Sequence, residues 1–318
     1  MLSGVSLVVP YYHMVSDADV PHVRYLYRYR NVREFEADLD FLLRNFVPVN
    51  LYQILAHLDG QGNLPQRCFH VTFDDGFREI YEVAAPLLMK KGIPATFFLN
   101  SAFLNGRGMA HHNKISLLLD RMPHPLPDHL RKELELHLPP ASKSDLKARL
   151  LSIRYANQQI LDKIAVVAKI SIDQYIATVR PYLSSEEVTD LIKQGFTIGA
   201  HSVDHPLYAD LSLGDQITQT RQSVDFIANR FGIKTRAFAF PHTDVGVGPE
   251  FFNTMFNSRS LDICFGTGGS IPHFHPKNIE RVGMEKIPGT AEEIFAREYA
   301  RAVYYKSLGR FPRQSTVA

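Results

Sequence analysis

Thr72-Phe73-Asp74-Asp75-Gly76 sets two adjacent carboxylates at the end of an apolar run (Cys68, Phe69, Val71, Phe73) that reads as a buried strand. Alternation along an extended backbone sends the two side chains in different directions, and Gly76 frees the chain to turn. Such a pair can divide labour, one carboxylate binding a metal while the other stays free as a base. Far downstream, Phe196 to Ala200 reads as a second buried strand and runs into His201-Ser202-Val203-Asp204-His205-Pro206. Two histidines four apart can converge on one ion. The spacing alone is weak evidence, because fourteen histidines give such a pair by chance roughly 0.6 times. One carboxylate plus two imidazoles, however, is the three-ligand set of a catalytic zinc-type site with a position left for water.

With these motifs in view the chain resembles the polysaccharide deacetylases of carbohydrate esterase family 4, the NodB homology domain, through a TFDDG motif at Thr72 to Gly76 and an H-[ST]-x-x-H motif at His201 to His205. Tyr11-Tyr12-His13, Pro94-Ala95-Thr96-Phe97-Phe98 and Phe238-Ala239-Phe240-Pro241 resemble further landmarks of that family in the same order. The resemblance covers residues 5–104 and 183–290. It implies a metal-dependent hydrolase that removes N-acetyl groups from an N-acetylated sugar or polysaccharide precursor and releases acetate. It assigns Asp75, His201 and His205 to one divalent ion, zinc by donor type, and Asp74 to the general base. It places the backbone N–H of His242, after Pro241, as the oxyanion donor. A related hydrolase of a small non-sugar amide, or a catalytically silent saccharide-binding module, would carry the same motifs.

The chain departs from the family pattern at two points. The late Leu-x-His motif that supplies the acid in many members is absent, since no histidine follows residue 280. His13 is the leading candidate for that proton donor, because it ends the strand preceding the Asp74 strand; His275, His273 and the His242 side chain come next. The arginine that many members place before the late proline is replaced by the Phe238 and Phe240 region, which leaves the group orienting Asp74 open.

Seven strand-like segments, near 5–11, 67–73, 94–99, 196–200, 236–240, 261–266 and 279–284, alternate with helical patterns. They predict an α/β fold: a distorted seven-stranded (β/α) barrel of the polysaccharide deacetylase type with a helical insertion. Val32 to Phe46 and Phe77 to Lys91 show apolar helical faces, and helix starts are legible at Ser184 to Glu187, Ser212 to Asp215 and Thr290 to Glu293. His13, Asp74, Asp75, His201, His205 and His242 all fall at the carboxyl ends of predicted strands, the face on which barrel sites are built. The whole chain, 1–318, reads as one catalytic domain. Residues 105–182, with helical patterns broken by Pro139-Pro140, read as an insertion rooted on the catalytic face, and His111 and His112 within it read as exposed loop histidines, with extra ligands as the alternative.

Arg24 to Arg30 alternates tyrosine (25, 27, 29) with a basic face (24, 28, 30) and reads as an edge strand. The net charge of +2 without a basic block argues against a nucleic-acid partner, and Cys68 and Cys264, both in apolar runs, read as buried thiols. No apolar run reaches membrane-spanning length and Met1 to Val9 lacks a signal-peptide core, which predicts a cytoplasmic protein. Nothing in the pattern speaks to oligomeric state.

Overall fold

The computed structural model describes residues 7–138, 145–271, 273–285 and 288–307. Pro139-Pro140 and most of the Met1 to Val9 segment lie outside them. In chain order the strands are β1 (Leu7–Val8), β2 (Pro10–Tyr12), β3 (Val47–Pro48), β4 (Cys68–Phe69), β5 (Val71–Phe73), β6 (Ala95–Leu99), β7 (Thr197–Ala200), β8 (Ala237–Ala239), β9 (Ile263–Phe265), β10 (Asn278–Ile279) and β11 (Val282–Gly283). Eight of them form one curled sheet of order β10-β9-β8-β7-β6-β5-β2-β11, and every pair in it is parallel. A smaller parallel sheet, β1-β4-β3, lies upstream where β1 and β4 lead into β2 and β5. This is the distorted α/β barrel that the alternating pattern predicts.

The segment predicted as one strand over 279–284 is split. β10 pairs with β9 and β11 pairs with β2, so the chain crosses from one edge of the sheet to the other through Glu280 and Arg281. That crossing links the two edges of the curled sheet, which among the described residues do not pair with each other, and carries Arg281, wholly buried. At the junction of the two sheets His70 is buried and satisfied on both ring nitrogens, by Val49 O and Thr96 Oγ1, each at 2.8 Å.

The barrel core is aliphatic and aromatic, with Phe35, Leu39 and Leu42 of the helix Val32–Asn45 packed on Tyr12 and Phe73. Each such side chain contributes about 1.5–3 kcal/mol on burial. That helix starts on a capping box between Asn31 and Glu34, and the box predicted at Ser184 is formed with Glu187. Gly199 in β7 answers a close approach: a Cβ there would lie 2.5 Å from the Phe98 ring and 2.9 Å from Ala237 O.

A second core joins the helices His111–Arg121, Asp128–Glu135, Leu146–Leu151, Gln159–Val167 and Ile172–Val179 through Leu117, Leu118, Leu150, Leu161 and Ile164, and it continues into Met14, Val20, Val23 and Phe77. Arg24 to Arg30 is not an edge strand. The chain over residues 20–26 closes on its own backbone in turns (Arg24 N to Val20 O, 2.9 Å; Leu26 N to Val23 O, 2.8 Å), and Tyr25, Tyr27 and Tyr29 pack on this second core. Among the described residues no helix is long and apolar enough to cross a membrane, and Cys68 and Cys264 are buried and not joined in a disulfide.

Candidate active site

Five strand ends deliver the site. His13 follows β2, Asp74 and Asp75 follow β5, Asn100 follows β6, His201 follows β7, and Pro241-His242 follow β8 after the intervening Phe240. Asp74 extends the strand pairing through its N–H to Tyr12 O at 2.9 Å, and the chain then turns sharply. Asp75, Ser202, His205 and His242 adopt φ of 69°, 69°, 66° and 58°. Left-handed backbone is unfavourable for residues with a side chain and clusters where surrounding structure imposes it, commonly at functional sites. Gly76, at φ 70°, follows directly; a Cβ there would stand 2.9 Å from Leu99 Cδ2.

Asp75 Oδ1 lies 3.0 Å from His205 Nε2 and 3.4 Å from His201 Nε2, with all three side chains buried. The three ligand atoms fall within 4.8 Å of one another, and among the described residues Asp75 Oδ1 takes no hydrogen bond. A buried carboxylate oxygen without a donor is costly, so the cluster fits a cation as its missing partner. Burial opposes the charge on Asp75, but His205, His201 and His13 together outweigh it and hold the carboxyl well below its usual range. His201 is oriented by its other nitrogen, Nδ1, which meets Ala239 O at 2.8 Å and so carries the proton, leaving the Nε2 lone pair facing Asp75. The His205 N–H donates to Ser202 Oγ at 3.0 Å, and Asn100 Nδ2 donates to His201 O, fixing the loop between the two histidines.

Asp74 is held by Arg281. Nη1 and Nη2 donate to Oδ1 and Oδ2 at 2.7 Å each, Nη1 also reaches Thr72 Oγ1 at 3.2 Å, and Nε donates to Gly266 O at 3.0 Å. The guanidinium stacks 4.6 Å from the Tyr11 ring centroid. Burial opposes ionisation of Asp74, and the Arg281 charge reverses the balance, keeping the carboxyl below its usual value. The sequence reading left the group orienting Asp74 open. Its one signal was an arginine inside an otherwise strand-like run at 279–284.

His13 stands on Glu285: Nδ1 is 2.5 Å from Glu285 Oε2, which also accepts the His13 N–H at 3.0 Å. Burial works against a charged His13, but Glu285 overrides it and lifts the imidazole to about 9. Its side chain is 20% exposed and its ring lies 4.5 Å from that of Tyr27, whose buried hydroxyl has no hydrogen-bond partner among the described residues. Glu285 was not singled out from sequence, because a lone glutamate just beyond a strand reads as solvated.

His242 occupies a tight turn closed by Thr243 N to Pro241 O at 2.6 Å, and its ring is 4.4 Å from His205. The other two alternatives to His13 pack elsewhere. His275 stacks on Phe256 at 4.4 Å, and His273 packs on Phe252 at 4.8 Å beside Asp244. His111 and His112 are not exposed loop residues: they open the helix His111–Arg121, and the His112 ring is 4.5 Å from His205.

Residues 61–247, more than half of the chain, match the family described as polysaccharide deacetylase. The chain belongs to the polysaccharide deacetylase family. Members are hydrolases acting on N-acetyl amide bonds, and the matched span contains Asp74, Asp75, His201, His205 and His242 but neither His13 nor Arg281. No curated protein sequence matches the chain. Among solved structures it is similar to IcaB from Ammonifex degensii (TM-score 0.58, 18% identity, covering 93% of this chain and 97% of that one). It is also similar to the Streptococcus pyogenes deacetylase PplD in complex with acetate (0.58, 14%, 92% and 97%). A de-N-acetylase from Aggregatibacter actinomycetemcomitans matches comparably (0.58, 15%, 92% and 99%). At such identities the likeness establishes the fold of this deacetylase, over nearly its full length.

Proposed function

We propose that this polysaccharide deacetylase is a metal-dependent de-N-acetylase of an N-acetylated saccharide, yielding acetate and a free amine. The chain acts as one catalytic domain in this reading, with 105–182 as an insertion beside the mouth of the barrel. The observation that carries the reading is the buried Asp75 Oδ1, without a hydrogen bond among the described residues and facing two imidazole Nε2 atoms. Asp75, His201 and His205 would hold the ion, and two imidazoles with one carboxylate suit zinc. A divalent ion there would polarise the amide carbonyl and acidify water.

The remaining roles belong to the chain. Asp74, kept ionised and aimed by Arg281, takes the proton of the attacking water. The backbone N–H of His242 faces the developing oxyanion, and no described protein acceptor takes it. His13, protonated on its Glu285 support, gives a proton to the departing amine; an amide nitrogen leaves only when protonated. The Pro241 carbonyl, bonded to Thr243 N, stabilises the turn that presents His242.

The test combines metal content with acetate release. The purified protein should contain one zinc per catalytic site, release acetate from N-acetylhexosamine oligomers, and lose that activity on chelation. Release from small non-sugar amides alone would move the assignment to the alternative substrate class, and metal without turnover on any amide would leave a saccharide-binding module.

A further inference from the structure

His205 differs from His201 in one respect. The Nδ1 of His201 is satisfied by Ala239 O, whereas the Nδ1 of His205 is buried and, among the described residues, has no hydrogen-bond partner; the residue itself is only 4% exposed. A histidine that ligates an ion through Nε2 normally donates its other N–H to an oxygen. Here the neighbours are two more imidazoles, His112 at 4.5 Å and His242 at 4.4 Å between ring centroids, themselves 5.4 Å apart. His112 Nδ1 is buried and lacks a hydrogen-bond partner too.

The three histidines each offer a ring nitrogen, all within 4.8 Å of one another. Hydrogen-bonded nitrogens would stand about 3 Å apart, whereas nitrogens sharing a tetrahedral ion at 2.0–2.1 Å stand about 3.4 Å apart. Ring nitrogens within 4.8 Å of one another leave a gap that a small inward shift fits to an ion, and His112 and His205 each keep a buried Nδ1 without a hydrogen-bond partner among the described residues. The frame is built. His112 sits at the start of its helix beside Asn113, whose side chain donates to His22 O at 2.8 Å and accepts from Tyr182 OH at 3.0 Å. His242 is exposed, which leaves a route from solvent.

We infer that His112, His205 and His242 form a second cation site, next to the Asp75-His201-His205 site and sharing His205 with it. Three imidazoles without a carboxylate select borderline transition ions such as Zn²⁺, Co²⁺, Ni²⁺ or Cu²⁺ over Mg²⁺ or Ca²⁺. His205 then bridges, Nε2 toward Asp75 and Nδ1 toward the second ion. The Nδ1–H bond breaks, an Nδ1–metal bond forms, and the proton passes to solvent. Repulsion between the ions makes the second site the weaker. The inference rests on the first site holding an ion through His205 Nε2, and it makes the insertion, through His112, a contributor to the metal centre.

Calorimetric titration of the metal-stripped full chain with Co²⁺, with cobalt visible bands and buffer-dependent proton release read in parallel, tests this. The wild type should bind two ions in two steps, the second at least tenfold weaker and accompanied by release of one further proton. His112→Gln and His242→Ala should each bind one, with the first step retained; thermal melting confirms that both variants fold, and His242, being exposed, tolerates truncation. Asp75→Asn should lose the first step and keep an imidazole-only ion. One ion in the wild type, lost in Asp75→Asn and retained in both histidine variants, overturns the second site and leaves the first intact. One ion lost in His112→Gln and untouched by Asp75→Asn supports the histidine site and overturns the Asp75 assignment. No ion in any form overturns both.

Discussion

Arg281 grips Asp74 through two parallel hydrogen bonds of 2.7 Å, across 207 residues of sequence and wholly out of contact with solvent. A planar guanidinium matched to a carboxylate fixes direction as well as charge, which a lysine does not. The barrel seam is therefore also a catalytic support: the dipeptide that carries the chain from β10 to β11 positions the base.

Removing that support has two consequences. Arg281→Ala leaves a buried carboxylate unpaired, which should cost about 3–5 kcal/mol in a denaturant melt. Arg281→Lys keeps the charge and loses the fork. It should lower kcat by roughly tenfold or more with little change in KM, since substrate does not touch this residue. A parallel rise in KM with kcat unchanged would show that Arg281 shapes the binding surface instead.

The adjacent carboxylates should separate by experiment. Asp74→Asn is expected to keep the bound ion and lose roughly 10²–10⁴-fold in turnover, the scale of a missing general base. Asp75→Asn should weaken metal binding itself, by 10-fold or more in the dissociation constant measured by competition with a chelating dye. Equal loss of metal in both variants would mean that the pair is wrongly divided.

Much of this was legible in the sequence because the signals are local. Asp74, Asp75, His201 and His205 sit in short motifs at the ends of apolar runs, and the strand–helix alternation around them names the barrel. The supporting groups were not legible. Arg281 and Glu285 lie more than 200 residues from the side chains they hold, and their positions follow from which sheet edge each half of the 278–283 segment joins. Two-residue strands carry too few side chains to show that split. His112 was misread for a related reason: it begins a helix whose packing on the barrel depends on Asn113, Tyr182 and His22, residues with no common local pattern.

Gly199→Ala tests the close packing beneath the histidine motif. Its Cβ would meet the Phe98 ring at 2.5 Å and the Ala237 carbonyl at 2.9 Å, and neither backbone nor a ring locked against Phe265 can retreat freely. Overpacking of this kind costs about 1–3 kcal/mol. Because His201 follows two residues later, a loss of metal affinity should accompany the lower melting temperature; stability lost with metal affinity unchanged would show the strand and the site to be uncoupled.

His13 and Glu285 give the pH dependence. The imidazole faces Glu285 directly, with Tyr11 and Tyr27 packed on its ring and Asp74 and Asp75 contributing at longer range, and it is lifted from 6.5 to about 9. A folded value above the unfolded one means that the pair stabilises the protein fully below about 6.5 and loses that contribution as pH rises through about 9. The same proton serves the departing amine, so kcat/KM should decline on the alkaline side with a midpoint near 9. Glu285→Gln removes the opposing charge while keeping the volume. Burial then meets only the more distant Asp74 and Asp75 charges, so the alkaline limb should move to lower pH and turnover at pH 9 should fall while metal content stays constant. His13→Ala should lose roughly 10²–10⁴-fold in turnover, also with metal retained. An alkaline limb that stays near 9 in Glu285→Gln would assign it to another group and leave His13 as a packed side chain of the barrel mouth.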